Sequence, residues 1–368
     1  MPSQIAHYLF AVDLARRLGG ETSTTLTGAL DPFLALGAQG PDIFLHNRKR
    51  RPAGLNYGII LHRKNAGLFC ASLAHANRRE SILSPVGAYT LGCISHVVLD
   101  RILHPYINVH AGWVEPKQPH TYGYRVNHPF LERIIDVTLL ESRRHMTPEE
   151  LDFASHIALD ERYATPLLAA IRDGIRTATR RGGSDTDMLR RLSNAYKDAL
   201  DYYRYTNKVD VSRAREALAE SEEQLPFWLG IYHPPTLPDD IDFTNTGRKP
   251  WRHPCTGETY SSESVDDLYD RALAHAHMLF RATVETWEGA RDAFEPSPPS
   301  SGSAVETAPG YRTDPRPPEG VSLEKLVGNG DLSDERNEGE PCTRRYFDVL
   351  PFERALSHLR AYILEAEL

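Results

Sequence analysis

Length, composition and charge place this chain among globular proteins of ordinary make-up. It has 368 residues, of which 40% are hydrophobic and 25% charged, so it can bury a large core without disulfides or metals as staples. Its formal net charge of −8 argues against a nonspecific nucleic-acid binder, because such proteins are usually basic. The acidic balance suits a protein that gathers carboxylates around cations.

Apolar residues recur at helical spacing through most of the chain, whereas alternation at period two is rare. This pattern predicts an all-α fold. The first helix opens at Ile5, a second covers 27–39, and a basic loop occupies 48–54. Further helices are predicted over 60–78, 85–104, 128–145, 147–158, 164–181, 186–205, 210–230 and 264–294.

The chain divides by composition into three parts. Residues 1–295 are predicted to form a single large multi-helix domain. From 296 to 345 the sequence turns to Pro, Ser, Gly and Glu with few large apolar residues, which predicts a flexible segment. Residues 346–368 are amphipathic and are predicted to form a C-terminal helix that packs back on the domain.

Neither the start of the chain nor its apolar runs indicate export or membrane insertion. The first residues lack the basic and apolar regions of a signal peptide. The longest run without Asp, Glu, Lys or Arg, 81–99, contains Pro85 and His96 and is interpreted as a buried helix. The four cysteines form no C-x-x-C pair, so we expect reduced thiols and a cytoplasmic location.

One stripe of side chains can bind metal. His96, Asp100 and His104 are spaced four apart, so they share one face of a helix, and Pro105 is expected to end or bend that helix. The stripe lies among apolar residues, where such groups cost several kcal/mol unless they are paired or metal-bound. Zinc takes imidazole nitrogen and carboxylate oxygen at about 2.0–2.2 Å, and the two oxygens of Asp100 can bridge two ions.

A second pair with the same chemistry follows. His128 and Glu132 share a helix face, with Pro129 at a first helical position. Three further candidates precede both patterns: His7, Asp42 and His62. Asp42 ends the sequence Gly-Ala-Gln-Gly-Pro-Asp, whose glycines let the backbone approach a site closely. Each of the three alone is more readily a core residue or a helix cap; together with the stripe they predict one pocket.

The order and spacing of these residues resemble the zinc-dependent phospholipase C family, to which the fungal single-strand-specific zinc nucleases are distantly related. The pattern is an early His, a Gly-Pro-Asp, a later His, H-x-x-x-D followed by His, and then H-x-x-x-E. It is most similar to an uncharacterised bacterial branch, through GAQGPDIF at 37–44 and SHVVLDRILHPYI at 95–107. The resemblance covers residues 1–145 well and the later helices loosely.

This resemblance implies an all-α fold of the phospholipase C and zinc nuclease type, with two or three zinc ions or other divalent metals. Carried over by position, the ligands would be Asp42, His62, His96 and Asp100 for one ion, His104, His128 and Glu132 for a second, and His7 with the bridging Asp100 for a third. Asp42 matches the family's proposed general base, and a metal-activated water would attack a phosphodiester.

The chain departs from the secreted members of the family at three points. Those enzymes bind zinc through the amino group of the mature N-terminus, and whether the amine of this chain does so is open. Their His after the bridging Asp lies six residues on, whereas His104 lies four on, so His110 is an alternative ligand. No C-terminal β-sandwich of the membrane-docking kind is recognisable.

The function predicted from the sequence is zinc-dependent hydrolysis of phosphoric diesters, with phospholipids as one substrate class and peripheral contact with a membrane. Arg48 and Arg50 are candidate substrate-binding residues, although a solvated basic loop is the more common explanation of such a run. A non-catalytic, zinc-stabilised helical protein that binds a partner or a lipid headgroup is the alternative. A nuclease is a weaker alternative, because no aromatic and basic strand-binding groove is evident. Substrate and oligomeric state are left open.

Overall fold

The computed structural model describes residues 4–179, 185–257, 260–292, 322–336 and 342–366. Helix accounts for 65% of the structure and strand for 1%, which confirms the all-α prediction. The helices are α1 Gln4–Leu18, α2 Gly20–Leu26, α3 Asp31–Ala38, α4 Asp42–Leu45, α5 Leu55–Arg63, α6 Ala66–Ala76, α7 Pro85–Ala111, α8 Asn127–Arg144, α9 Phe153–His156, α10 Glu161–Thr179, α11 Met188–Asn207, α12 Val211–Glu220, α13 Val265–Asp292, α14 Leu323–Val327 and α15 Phe352–Glu365. Two 3₁₀ helices cover Pro119–Arg125 and Phe227–Ile231, and a small antiparallel pair joins β1 Trp251–Arg252 to β2 Tyr260–Ser261.

Helix α7 is the centre of the fold. The Ser84 hydroxyl caps its start by accepting a hydrogen bond from the Gly87 amide at 3.2 Å, and Pro85 occupies the first turn. Helices α1, α3, α6, α8 and α13 all pack against it. By length and composition α7 could cross a membrane, but its apolar window is entirely buried inside the fold. The buried core helix of a globular protein passes the same test of length and composition, so α7 is weak evidence for a membrane span.

Several helix boundaries differ from those predicted. Pro105 does not end α7, which continues to Ala111; proline removes one main-chain donor, and packing on all sides of the helix outweighs that loss. The helix predicted over 60–78 is broken at Asn65, whose φ is 65°, so His62 lies near the end of α5 rather than at the start of a helix. The helix predicted over 147–158 shrinks to α9, and that over 210–230 divides into α12 and a 3₁₀ helix that begins after Pro226.

The segment predicted to be flexible, 296–345, lies partly outside the described residues. Within it, residues 322–336 contain α14 and pack against α5 and α6. The Gly67 amide donates to the Gly328 carbonyl at 2.9 Å, and the Leu332 amide donates to the His62 carbonyl at 2.8 Å. The buried guanidinium of Arg101 donates to the carbonyls of this segment as well. Main-chain hydrogen bonds of this kind do not depend on side-chain composition, so composition alone does not reveal them.

Residues 342–350, here called the C-terminal strap, run across the last turn of α7 before α15 begins. A disulfide joins Cys342, the first residue of the strap, to Cys255. The Asp348 and Leu350 amides donate to carbonyls of α7 at 2.8 and 3.0 Å. The expectation of four reduced thiols is therefore wrong for this pair, which the sequence separates by 87 positions. The two free cysteines, Cys70 and Cys93, are buried.

Candidate metal centre

Five helices bring all eight predicted ligands to one place. They are His7 on α1, Asp42 on α4, His62 on α5, His96, Asp100 and His104 on α7, and His128 and Glu132 on α8. Their ligand atoms form three groups, each within 4.8 Å: His7 with His96 and Asp100, Asp42 with His62 and His96, and His104 with His128 and Glu132. The helical spacing explains the pairs on α7 and α8, and tertiary packing adds the others.

The Asp100 carboxylate is the hub of the cluster. It is fully buried, with Oδ1 3.3 Å from His7 Nε2 and 3.6 Å from His104 Nδ1. Oδ2 faces the other side, 3.4 Å from His96 Nε2 and 3.7 Å from His62 Nε2. One oxygen therefore serves each side of the cluster, which is the arrangement that a bridging ligand needs.

Three of the imidazoles are oriented by main-chain carbonyls. The contacts are His62 Nδ1 to the Gly58 carbonyl at 2.7 Å, His96 Nδ1 to the Ala38 carbonyl at 3.1 Å, and His104 Nδ1 to the Asp100 carbonyl at 3.0 Å. A carbonyl oxygen only accepts, so Nδ1 carries the proton in each ring and Nε2 of the neutral ring keeps its lone pair. This is the support that metal-ligating histidines usually have, since it fixes both tautomer and ring orientation.

Inside the cluster, hydrogen-bond acceptors face other acceptors. Asp42 Oδ1 lies 2.8 Å from His62 Nε2 without hydrogen-bond geometry, and His96 Nε2 and both Asp100 oxygens are buried without a hydrogen-bond partner. Each unsatisfied buried polar group costs about 1–3 kcal/mol. Either protons on the imidazoles or cations between the groups must offset this cost. The donor set, imidazole nitrogen with carboxylate oxygen, fits zinc and other divalent metals.

Ionisation differs between the two ends of the cluster. Burial opposes charge on Asp100, yet the nearby imidazoles of His104 and His96 hold its pKa well below its usual value. At the other end, burial raises the pKa of Glu132 well above its usual value. Burial also lowers the pKa of His104 to about 3 and that of His128 well below its usual value. The His104, His128 and Glu132 group thus favours neutral side chains until a cation neutralises the carboxylate.

The cluster is more open to solvent at its His128 end than at its His62 side. The His128 side chain is 25% exposed and that of His62 is 14% exposed, whereas the side chains of His7, His96 and Asp100 are 0% exposed. The His104, His128 and Glu132 group is therefore the most accessible of the three groups.

The glycine-rich turn before Asp42 lets the main chain touch the cluster. Gly40 has φ +49°, and a Cβ there would lie 2.6 Å from Cγ of His96. His110, the alternative to His104, points away: its Nδ1 donates to the Asp348 carbonyl at 3.1 Å, and it belongs to none of the three groups. The α-amino group considered as a ligand lies outside the described residues.

The basic loop, whose Arg48 and Arg50 were predicted to bind substrate, uses Arg50 in ion pairs within the protein. Arg50 makes ion pairs with Asp198 at 2.6 Å and Asp201 at 2.8 Å, so its guanidinium fastens the loop to α11 and is not free for substrate. Asp198 also accepts from the amides of Lys49 and Arg50. Arg48 is exposed and lines a cavity of about 760 Å³ beside α4 and the start of α8.

Two features near the cluster are not evident from the sequence. The Asp136 carboxylate on α8 accepts the amides of Ile5 at 3.2 Å and Ala6 at 2.7 Å, and His233 Nε2 lies 2.8 Å from it. It holds the start of α1, one residue before His7. These partners lie at least 97 positions from Asp136, so no local pattern could reveal them.

The second feature is Arg344 on the C-terminal strap. Its guanidinium lies 5.8 Å from the centre of the Trp113 ring. After burial, the largest cause, its charge is among those that lower the pKa values of His104 and His128. Its positive charge thus acts on the two histidines at the open end of the cluster.

Comparison with known proteins finds no matching family model, no matching curated protein and no matching solved structure. The resemblance to the phospholipase C family thus rests on the residues and motifs of this chain alone.

Proposed function

We propose that this protein is a zinc-dependent hydrolase of phosphoric diesters, with the fold type and chemistry of the phospholipase C family that its motifs resemble. The observation that carries the proposal is the pair of imidazoles, His62 and His96, whose Nδ1 atoms donate to main-chain carbonyls while their Nε2 atoms turn toward the buried carboxylates of Asp42 and Asp100. A purely structural histidine cluster has no need to aim lone pairs at carboxylates.

Each residue of the cluster would have a distinct role in hydrolysis. The eight ligands would hold the ions, and Asp100 would lie between two of them. When bound, divalent cations supply Lewis-acid chemistry, which polarises a phosphoryl oxygen and makes water a better nucleophile near neutral pH. Burial opposes ionisation of Asp42, yet His96 and His62 hold its pKa below its usual value, so its carboxylate is available to accept the proton of the attacking water. Arg344 would bind a phosphate oxygen at the open end.

The alternative, a zinc-stabilised protein without catalysis, has one specific observation in its favour. The His7, His96 and Asp100 group is closed to solvent, and closed sites are typically structural whereas catalytic sites keep an open position. The exposed edge of His128 favours the hydrolase, since that position is reachable.

The state of the cysteines bears on the compartment in which this protein works. The cytoplasmic location predicted from the cysteine count stays a prediction. The Cys255–Cys342 disulfide argues instead for an oxidising compartment, where such bonds persist.

The test is metal analysis combined with hydrolysis of bis(p-nitrophenyl) phosphate. The purified protein is stripped with a chelator, reloaded with zinc and assayed beside Asp100→Asn and a control, Asp160→Asn, whose exposed carboxylate pairs with Arg162. We expect bound zinc, turnover that needs it, and loss of both in Asp100→Asn but not in the control. Zinc binding that raises the melting temperature without any turnover would support the structural alternative; no zinc binding would contradict both.

A further inference from the structure

A cavity of about 760 Å³ lies directly beside the metal centre, between α4, the basic loop, α8, α11 and α12. Pro129, which follows the ligand His128, lines it, and so does His46, which lies one turn beyond the ligand Asp42. The volume falls in the range of small-molecule sites, about 300–1,000 Å³. It is large enough for a substrate group that extends away from the ions.

The lining of this cavity is positive in a protein whose net charge is −8. Its two acids, Asp198 and Asp201, are both engaged by Arg50. Three cations also line it, and within the described parts of the chain none of them makes an ion pair: Arg48, Lys49 and Arg213. Cations without acidic partners around a concave surface raise the local concentration of anions.

The remaining wall is aromatic and apolar. Tyr202 stacks on His46 with ring centres 4.0 Å apart, and the Arg213 guanidinium lies 5.1 Å from the centre of the Tyr205 ring. Phe227 at the rim is 43% exposed. The cavity, here called the basic aromatic cavity, thus offers cations and flat apolar surfaces side by side.

We propose that the basic aromatic cavity binds a negatively charged group carried on a ring or other apolar scaffold. If the proposed hydrolysis is correct, on which this step rests, the substrate carries a second anionic group in addition to the phosphodiester that is cleaved. A headgroup that ends in a bulky cation is disfavoured, because it would place like charges together. The lining therefore selects an anionic diester over a zwitterionic one.

The first experiment measures binding to metal-free protein, so that its outcome does not depend on catalysis. Phenyl phosphate is titrated calorimetrically into the wild type, Arg213→Ala and Arg48→Ala, with phosphocholine as the mismatched ligand. The control is Arg190→Ala, an exposed arginine on α11 outside the cavity. We expect the wild type to bind phenyl phosphate and each cavity variant to bind it about tenfold more weakly. The control variant should bind phenyl phosphate as the wild type does. Phosphocholine should bind weakly to every variant.

The second experiment separates a lipid-borne anion from a free one. The protein is sedimented with phosphatidylinositol vesicles and, for comparison, with phosphatidylcholine vesicles. If a lipid headgroup occupies the cavity, the wild type sediments with the phosphatidylinositol vesicles and Arg213→Ala does not. Binding of phenyl phosphate without vesicle binding assigns the cavity to a soluble ester. Absence of binding in both assays, or equal binding by wild type and Arg213→Ala, overturns the proposal. Neither result bears on zinc-dependent turnover, so the two proposals fail separately.

Discussion

Replacing Asp136 by alanine tests whether a carboxylate on α8 sets the position of α1 and thereby of His7. The carboxylate accepts two buried main-chain amides, those of Ile5 and Ala6. An orphaned buried donor costs about 1–3 kcal/mol, and the two losses share one site, so they do not add fully. We expect Asp136→Ala to lower the free energy of unfolding by about 3 kcal/mol.

Asparagine in place of Asp136 makes the prediction sharper. It keeps one acceptor oxygen and loses the charge, so we expect about half the loss seen with alanine. Urea denaturation of metal-free protein measures both, with Asp173→Ala as the control, since Asp173 pairs with Arg172 on an exposed face and should cost little. Because α1 carries His7, zinc stoichiometry should also fall in Asp136→Ala.

Two outcomes would refute this reasoning. One is a loss below about 1 kcal/mol in Asp136→Ala, which would mean that water or other groups replace the carboxylate. The other is an equal loss in Asp136→Ala and the surface control, which would show that the two amide bonds contribute no more than an exposed ion pair.

Three further predictions concern the cluster and its surroundings. Gly40→Ala should lower the free energy of unfolding by about 2 kcal/mol or more and weaken zinc binding, because its Cβ would press on His96; unchanged denaturation curves with and without zinc would contradict this. Burial lowers the pKa of His46 to about 3, so its contribution to stability is complete above about pH 6.5 and is lost as the pH falls toward 3. In His46→Phe the phenyl ring can still stack on Tyr202, so acid unfolding, followed by circular dichroism, should shift to lower pH. An unchanged midpoint would show that burial does not lower the pKa of His46. Chelation should lower the melting temperature and added zinc restore it, since free zinc at a thousand times its Kd stabilises by about 4 kcal/mol; calorimetry that shows no change would exclude a loaded site.

The local parts of the site could be predicted from the sequence because helix geometry fixes them. A spacing of four residues places His96, Asp100 and His104 on one face wherever α7 lies. The glycine at position 40 was recognisable as a point of close approach, since only a residue without Cβ fits against His96. The all-α class followed from helical periodicity for the same reason: burial of an apolar stripe is a local property of each helix.

Features that depend on distant partners could not be predicted. Neither Asp136 nor His233 carries any local sign that they meet near the start of α1. The ion pairs that occupy Arg50 join a loop to a helix about 150 positions later, so its charge alone suggested substrate binding. The predicted end of α7 before Pro105 was wrong, because the cost of the proline is local whereas the packing that compensates for it surrounds the whole of α7.

The two candidate roles of the cluster, structural and catalytic, apply to different parts of it. An ion among His7, His96 and Asp100 would be enclosed, since none of these side chains is exposed, and it would tie α1 to α7. An ion at His104, His128 and Glu132 would face solvent through His128. A closed site contributes to folding and an open one to chemistry. Asp100 belongs to the enclosed group, and its oxygen that faces His7 also lies 3.6 Å from Nδ1 of His104 in the open group. Replacing Asp100 would therefore remove a ligand of the enclosed ion and a neighbour of the open one.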